Sequence, residues 1–156
     1  IYSRIEYLAC GLECRIVFLD HLSILLSGLD GDERRMIDTT MTKLRSLVER
    51  TGITLFLVSH LRRSNNDRTS HEEGGKVSLS QLRGSHSIAQ LSDQVIALER
   101  DQQSENDRDV TTLRIIKNRY SGETGFAGKI KYNLSTSRFT EHETTESPIF
   151  DPSTDF

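Results

Sequence analysis

The sequence has 156 residues, of which 35% are hydrophobic, and its formal net charge at pH 7 is −3. This length suits one compact domain, and every apolar run is far shorter than the ~20 residues that span a bilayer. Cys10 and Cys14 are too few for a disulfide framework or a zinc site. They indicate reduced thiols, so we expect a protein of the cytoplasm with no membrane segment.

The charge is unevenly distributed along the chain. Residues 141–156 contain five acidic residues and no Lys or Arg, so that residues 1–140 carry +2 when the total is −3. A mildly basic body with an acidic tail fits a nucleic-acid-binding protein that has a partner-binding extension. We therefore predict one domain over residues 1–139 and an acidic, disordered tail over residues 140–156.

The first half of the chain predicts a strand, a helix and a second strand. A helix over residues 2–11 precedes a strand over 15–19 and a polar loop, in which Asp30 or Asp32 can cap the next helix. That helix ends at Gly52, and residues 53–59 form the second strand. Two apolar strands joined through a helix predict a parallel crossover unit, buried on both faces. The helix has one apolar stripe: Met36, Ile37, Met41, Leu44, Leu47 and Val48.

The second half begins with a long polar connection over residues 61–76, which we call the central loop. Loops of this length in a compact domain are usually functional or disordered. A turn and a short helix are predicted over 77–93, and another buried strand over 94–100. Residues 110–120 and 128–133 predict a hairpin at one end of the sheet. The pattern predicts an α/β fold, a parallel sheet flanked by helices with a C-terminal hairpin.

Two polar side chains follow the first two strands directly. In open α/β sheets, ligands bind beyond the carboxyl ends of the strands, where Asp20 and His60 lie in this prediction. Asp20 could hold a Mg²⁺-bound water near a nucleotide phosphate, or it could cap the next segment. His60 could sense a phosphate, or it could be a satisfied histidine at a strand end. The residues alone leave both pairs of alternatives open.

Six motifs carry a more specific signal. They are, in order, "IVFLDHLS", "DGDERRMIDTTMTKL", "LVSHLRR", "HEEGGKVSLSQLRGS", "AQLSDQVIALER" and "RIIKNRYSGETGFAG". Together they closely resemble the C-terminal half of the ring-shaped replicative helicases of short-tailed bacteriophages, which are bifunctional primase-helicases related to the bacterial DnaB helicase. The resemblance covers roughly residues 2–133, and the acidic tail is also similar. It implies a RecA-like P-loop NTPase core, here only its C-terminal half.

The resemblance implies roles in NTP hydrolysis. Asp20 corresponds to the Walker B carboxylate that helps to hold Mg²⁺ through water, and His60 to the histidine that senses the γ-phosphate. Arg119 corresponds to an arginine finger that enters the neighbouring subunit's nucleotide site. Gln90 lies in the "QLSD" motif and is grouped with these catalytic residues. Hydrolysis of ATP or dTTP with Mg²⁺ is the implied reaction.

The resemblance also implies binding residues. Arg100 and Tyr132 contact the nucleotide base, and Lys117 joins this nucleotide-binding group because a strand over 110–120 points it the same way as Arg119. The implied contacts with single-stranded DNA are Arg62, Arg63, Arg68, Lys76, Arg83 and Gly84. The tail residues implied to dock a replicative DNA polymerase and a single-stranded-DNA-binding protein are Asp151, Asp155 and Phe156.

The implied whole is a hexameric or heptameric 5′→3′ DNA helicase of a phage replication fork, acting in the host cytoplasm. No G-x-x-x-x-G-K-[ST] motif occurs in these 156 residues, so the phosphate loop and a primase domain would lie upstream. We expect the fragment alone to be inactive. Two alternatives are a non-catalytic relative that only docks a partner, and a RecA-like recombinase. A docking module would have no reason to keep Asp20, His60 and Arg119 together.

Overall fold

The computed structural model describes residues 1–26, 31–61, 70–82 and 86–149. The chain divides into two compact units, Ile1–Arg63 with Ser80–Ser92 and Ser64–Leu79 with Asp93–Phe156. None of the helices in the described ranges is long and apolar enough to cross a membrane. Within these described ranges, the first unit contains helices and two strands, and the second contains four strands.

The helices are α1 (Tyr2–Glu6), followed by a π-helical turn (Tyr7–Gly11), α2 (Leu22–Leu26), α3 (Glu33–Thr51), a 3₁₀ turn (Leu79–Gln81) and α4 (His86–Leu91). The strands are β1 (Ile16–Leu19), β2 (Thr54–Leu57), β3 (Gln94–Glu99), β4 (Val110–Asn118), β5 (Gly125–Asn133) and β6 (Arg138–Glu141). The predicted mixture of helices and strands is confirmed, and β6 is the strand that the sequence pattern did not predict.

Helix α3 forms where its caps and its apolar stripe predict it. The Asp32 carboxylate accepts a 2.9 Å hydrogen bond from the backbone N–H of Arg34, which satisfies one of the free donors of the first turn. Gly52 ends the helix with φ +69°, and its N–H donates to the Val48 carbonyl at 2.8 Å. Glycine adopts this left-handed conformation without steric cost. The alternative cap, Asp30, lies outside the described residues.

Strands β1 and β2 are parallel, as predicted, with Ile16 opposite Thr54 and Leu19 opposite Leu57. Val17 and Leu19 are buried in a core with side chains of α1 and α3. The prediction that both faces are buried is wrong, because Ile16 and Phe18 are 58% and 73% exposed. Successive strand residues alternate between faces, so the helices that cover Val17 and Leu19 leave Ile16 and Phe18 uncovered.

A second core of the first unit includes α4. Ile88 of α4 is 4% exposed and packs with side chains of α2 and α3. The predicted turn and short helix over residues 77–93 are therefore confirmed, and α4 is fixed by hydrophobic burial. The buried members of this core are Leu22, Leu26, Ile37, Met41 and Ile88.

The second unit is a four-stranded antiparallel sheet in the order β3-β4-β5-β6. The predicted hairpin of residues 110–120 and 128–133 is confirmed as β4 and β5, but it belongs to this antiparallel sheet and not to one end of the parallel sheet. The prediction of residues 94–100 as a buried strand is wrong in its burial, because Ile96 and Leu98 of β3 are 51% and 65% exposed; β3 pairs antiparallel with β4. A short apolar run does not reveal its partner strand or its direction.

Strand β6 extends past the predicted start of the tail. Thr140 and Glu141 pair with β5, and the N–H of His142 donates to the Lys129 carbonyl at 2.9 Å. The N–H of Ile149 donates to the Phe126 carbonyl at 2.9 Å. Regular structure thus continues beyond residue 139, and residues 150–156 lie outside the described residues.

Candidate functional site

The first group of candidate residues lies at the carboxyl ends of β1 and β2. The parallel pairing continues past Leu57, because the N–H of Val58 donates to the Leu19 carbonyl at 3.0 Å. Asp20 follows β1 directly and His60 lies three residues beyond β2; both side chains are exposed. One edge of this sheet therefore presents a carboxylate and an imidazole to a ligand.

His21 belongs to this group although the sequence analysis did not assign it a role. Its ring meets the ring of His60 edge to face, with 4.2 Å between the centroids. Its Nδ1 atom is buried and, within the described residues, has no hydrogen-bond partner. The contact restricts the direction in which the His60 imidazole points. The signal in the sequence was the Asp-His dipeptide at the end of β1.

The Asp20 carboxylate suits a hydrated divalent cation. In the described ranges, no three His, Cys, Asp or Glu side chains group as a metal cage. Mg²⁺ commonly keeps several waters and binds through one or two carboxylates together with substrate phosphates. An exposed carboxylate at a strand end fits that mode, so Asp20 would hold Mg²⁺ only when a nucleotide supplies the remaining oxygens.

The second group lies where β4 ends and β3 begins. The N–H of Arg119 donates to the Asp93 carbonyl at 2.8 Å, and Arg119 Nη1 lies 3.3 Å from Asp93 Oδ1. The Arg119 side chain is 48% exposed. Sequence reasoning did not single out Asp93, although it is the last residue of the quoted "QLSD" motif. Because the Arg119 side chain is about half exposed, its guanidinium is accessible to a further anion.

The side chains of Lys117 and Arg119 were expected to point the same way because both residues were predicted to lie in one strand. Strand β4 ends at Asn118, so Lys117 is in the strand and Arg119 is in the turn that follows. Strand alternation therefore does not fix the direction of Arg119. Lys117 lies opposite Val95 on β3, so the two cations share one end of the sheet.

The third group lies at the opposite end of the same sheet. Arg100 follows β3 directly and is exposed, and the N–H of Tyr132 donates to the Asp109 carbonyl at 2.9 Å, just before β4 begins. Residues 109–119 separate this end from Arg119 by ~30 Å at ~3.3 Å per strand residue. The structure does not bring Lys117 together with Arg100 and Tyr132.

Tyr132 has an aromatic neighbour that the sequence analysis did not assign. Phe139 of β6 lies directly opposite it, with 5.1 Å between the ring centroids and 53° between the ring planes. Tyr132 is half-buried and Phe139 is 60% exposed. Tilted aromatic pairs at this distance are stabilising, so contact with Phe139 helps to fix the position of the tyrosine ring.

The remaining predicted residues are distributed more widely. Lys76 and Gln90 are exposed, Lys76 at the end of the central loop and Gln90 on α4. The other predicted DNA and partner contacts lie outside the described residues: Arg62, Arg63, Arg68, Arg83, Gly84, Asp151, Asp155 and Phe156.

A crossover unit that ends on a carboxylate and an imidazole defines an α/β protein of the class that binds ligands beyond its parallel strands. The model of the family described as "DnaB-like helicase C terminal domain" matches residues 2–141. The chain therefore belongs to this family. The match includes residues of both units and every candidate residue up to Tyr132, whereas the tail residues Asp151, Asp155 and Phe156 lie beyond it.

A phage protein provides a second comparison. The DNA helicase/primase of Enterobacteria phage T3 is 42% identical over 137 residues, which are 87% of this chain and 24% of the relative. The resemblance to the phage replicative helicases is confirmed by this similarity and by the family match. The chain spans about a quarter of the length of the relative that it matches.

Proposed function

We propose that this chain is the C-terminal motor segment of a replicative DNA helicase that is driven by NTP hydrolysis. The observation that carries the proposal is the parallel register of β1 and β2, which directs Asp20 and His60 to the same sheet edge. Membership of the DnaB-like helicase family supports a helicase, and the similar phage T3 protein is named as a helicase and primase.

In this proposal, Asp20 and His60 have different roles at the nucleotide phosphates. Asp20 holds Mg²⁺ through water, and the ion neutralises charge on the phosphates when bound. His60 donates a hydrogen bond to the γ-phosphate, and His21 keeps the His60 ring in place through their 4.2 Å edge contact. Loss of the γ-phosphate removes the acceptor, so His60 reports hydrolysis to the central loop that follows it in the chain.

The ends of the antiparallel sheet serve two different nucleotides. Arg100 and Tyr132 bind a base at one end, whereas Arg119, ~30 Å away along β4, stabilises charge on a phosphoryl group at the other. One bound nucleotide cannot reach both ends. Subunits that assemble head to tail satisfy both, because each chain offers Arg119 to its neighbour. An arginine finger supplied in this way contributes ~10³–10⁵ in rate.

The finer parts of the proposal follow from the family. The core is RecA-like, its phosphate loop lies in an earlier part of a longer chain, and six or seven subunits form a ring. The ring moves 5′→3′ on single-stranded DNA and uses ATP or dTTP with Mg²⁺. The longer chain also contains a primase, and its acidic tail docks the replicative polymerase and the single-stranded-DNA-binding protein. Phosphate contacts from Lys76 and the loop arginines suit movement along any DNA sequence.

The decisive experiment measures NTP hydrolysis by the full-length protein with and without single-stranded DNA. We expect DNA to stimulate hydrolysis, and Arg119→Ala to remove the stimulated rate while the assembly size, measured by light scattering, stays the same. The matched control is Arg108→Ala, which removes an exposed arginine from the β3–β4 connection. Equal activity of the Arg119→Ala and unmodified proteins would overturn the proposal of a finger.

A further inference from the structure

A partly buried ion pair joins the end of the central loop to the antiparallel sheet. Glu99 on β3 and Arg114 on β4 form a salt bridge in which their side chains are only 8% and 22% exposed. Arg114 Nε also donates to Glu99 Oε2 at 3.2 Å. Neither residue received a role from the sequence, where they appear as ordinary charged residues of two strands.

The pair also binds both backbone groups of one residue that follows the loop. The N–H of Val77 donates to Glu99 Oε1 at 2.6 Å, and Arg114 Nη2 donates to the Val77 carbonyl at 2.7 Å. The Val77 side chain is 6% exposed. A carboxylate and a guanidinium thus satisfy the donor and the acceptor of a residue that belongs to no helix or strand.

A second contact holds the same segment four residues earlier. Glu73 and Asp101 form an antiparallel β-bridge, and the N–H of Gln102 donates to the Glu72 carbonyl at 3.0 Å. Gly74 has φ +76°, and a Cβ atom built on it would lie 3.1 Å from Asp101 Cβ. The backbone approaches Asp101 so closely here that only glycine fits without displacement.

The contacts of this pair stabilise the ionised form of the Glu99 carboxyl. Burial raises the pKa of the Glu99 carboxyl, but the hydrogen bonds from Arg114 and Val77 and the charges of Arg114 and Lys76 lower it more, so that the pKa lies below its ordinary value. Glu99 is therefore ionised near neutral pH, and removing either partner would leave a buried charge with a poorly matched environment.

We propose that residues 72–77 form a latch that fixes the end of the central loop to the β3–β4 hairpin, with Glu99 and Arg114 as positioning residues for DNA-stimulated hydrolysis. This inference rests on the proposed function, in which the central loop contacts DNA. The latch ends one residue after Lys76 and holds to Glu99, which directly precedes Arg100. Movement of the loop is thereby transmitted to β3 and β4, which Arg100 and Arg119 directly follow.

Coupling between the central loop and the antiparallel sheet needs a continuous set of contacts with few flexible segments. The latch provides two attachments, one at Asp101, two residues after the end of β3, and one at Glu99 on β3 with Arg114 on β4. A latch that is loose would leave the loop able to bind DNA without moving the sheet. DNA affinity would then survive while the effect of DNA on hydrolysis would decrease.

The first test compares Glu99→Gln with Glu105→Gln in the full-length protein. The substitution at Glu99 keeps the shape of the side chain but presents an amide to the Arg114 donors, whereas Glu105 is an exposed acid in the connection that follows β3. We expect Glu99→Gln to lower the ratio of DNA-stimulated to basal hydrolysis by ~10-fold, with DNA affinity and basal rate within ~2-fold. Glu105→Gln should leave the ratio unchanged.

The second test loosens the other attachment without touching the ion pair. Gly74→Ala introduces the Cβ atom that meets Asp101, and Gly52→Ala introduces one at a nearly equal φ of +69° where nothing lies within 4 Å. Both variants carry the same backbone strain, so a difference between them reports the contact with Asp101. We expect Gly74→Ala, but not Gly52→Ala, to lower the hydrolysis ratio as Glu99→Gln does.

The outcomes separate the latch from the function on which it rests. If the unmodified protein shows no DNA-stimulated hydrolysis, the proposed function fails first. If the unmodified protein is stimulated and both Glu99→Gln and Gly74→Ala keep the full ratio, the latch is overturned. A parallel fall of basal and stimulated rates, with a lower melting temperature, would also overturn it, since that result marks a purely structural role.

Discussion

Asp93 holds Arg119 at two points, through a 2.8 Å hydrogen bond from the Arg119 N–H to its carbonyl and through a 3.3 Å approach of Nη1 to Oδ1. The backbone bond continues the pairing of β3 with β4. The ion pair is partly exposed, with side-chain exposures of 48% and 27%, and such pairs contribute only ~0–1 kcal/mol. The Arg119 guanidinium can therefore exchange Asp93 for a phosphoryl group at little cost.

The Asp93→Asn variant should show whether Asp93 only holds the Arg119 side chain or is also needed for hydrolysis. The asparagine keeps the backbone carbonyl and removes only the charge, so we expect the melting temperature to change little and DNA-stimulated hydrolysis to stay within ~5-fold of the unmodified protein. Arg119→Ala should lose ~10³-fold or more in the same steady-state assay. Similar losses in both variants would mean that Asp93 is required for the chemistry itself.

Replacing His60 should uncouple hydrolysis from unwinding. We expect His60→Ala to hydrolyse NTP but to unwind ~10-fold fewer base pairs per nucleotide, because the phosphate no longer affects the central loop. His21→Phe keeps an aromatic edge against His60 and should unwind better than His21→Ala. The measurement is the number of base pairs opened per phosphate released; normal coupling in His60→Ala would contradict the sensor role.

The Glu99 latch should weaken in acid. Because the folded-state pKa of Glu99 lies below the ordinary value of 4.5, the unfolded chain binds more protons in the interval between the two values. The contribution of Glu99 to stability is then complete above pH 4.5 and is lost as the pH falls through the folded-state pKa. Hydrogen exchange of the Val77 amide should lose protection over that range.

The matching control for this titration is Glu99→Gln. An amide does not titrate, so the protection factor of Val77 in this variant should be lower than in the unmodified protein at about pH 6 and should lack the acidic step. The two proteins should converge as the acidic step of the unmodified protein is completed. A step of equal size in both would assign the acid response to another carboxylate.

The first core depends on Leu44, which is 2% exposed and packs against Val17, Leu19 and Ile53. Leu44→Ala should destabilise the first unit by ~2–5 kcal/mol. Ser46→Ala, on the exposed side of the same helix, should change stability by no more than ~0.5 kcal/mol. Chemical denaturation followed through hydrogen exchange of residues 33–51 checks both; equal effects would contradict this packing.

A tail deletion should begin after β6. Removing residues 150–156 leaves every hydrogen bond of β5 with β6 in place, whereas a cut at residue 140 would remove half of β6. We expect the shortened protein to keep its DNA-stimulated hydrolysis and to bind the replicative polymerase ~10-fold more weakly. Replacing Asp151 and Asp155 by Asn tests the charge at constant length. Unchanged polymerase binding in both proteins would remove the docking role.

Local features of the first unit could be predicted because single residues determine them. Asp32 and Gly52 mark the ends of α3 by capping chemistry, and the stripe from Ile37 to Leu47 identifies its buried face. The placement of Asp20 and His60 beyond two parallel strands followed from the same pattern. His21 escaped prediction because its relevant property, an edge contact with His60, depends on the distance between two strands.

The second unit could be predicted only in part, since the sequence of one strand does not specify which strand it pairs with. The apolar run of β3 predicts a core strand, yet Ile96 and Leu98 are exposed on a separate antiparallel sheet. All four residues of β6 are exposed, so β6 has no alternation of burial that would reveal it. The Glu99–Arg114 pair joins two strands and the end of the central loop. The partners of Glu99 are Arg114 and Val77, which are 15 and 22 residues away from it in the sequence.

The packing of Ile88 against Leu22, Ile37 and Met41 has a consequence for synthesis on the ribosome. Helices α2 and α3 emerge from the ribosome well before α4. The apolar side chains of α2 and α3 that pack against Ile88 therefore stay exposed to solvent while the central loop is translated. The strands β3 to β6, by contrast, each pair with the next in sequence and can close as they emerge. A nascent chain stalled after residue 82 should therefore be cut readily by protease within α3, and one stalled after residue 92 and clear of the exit tunnel should resist.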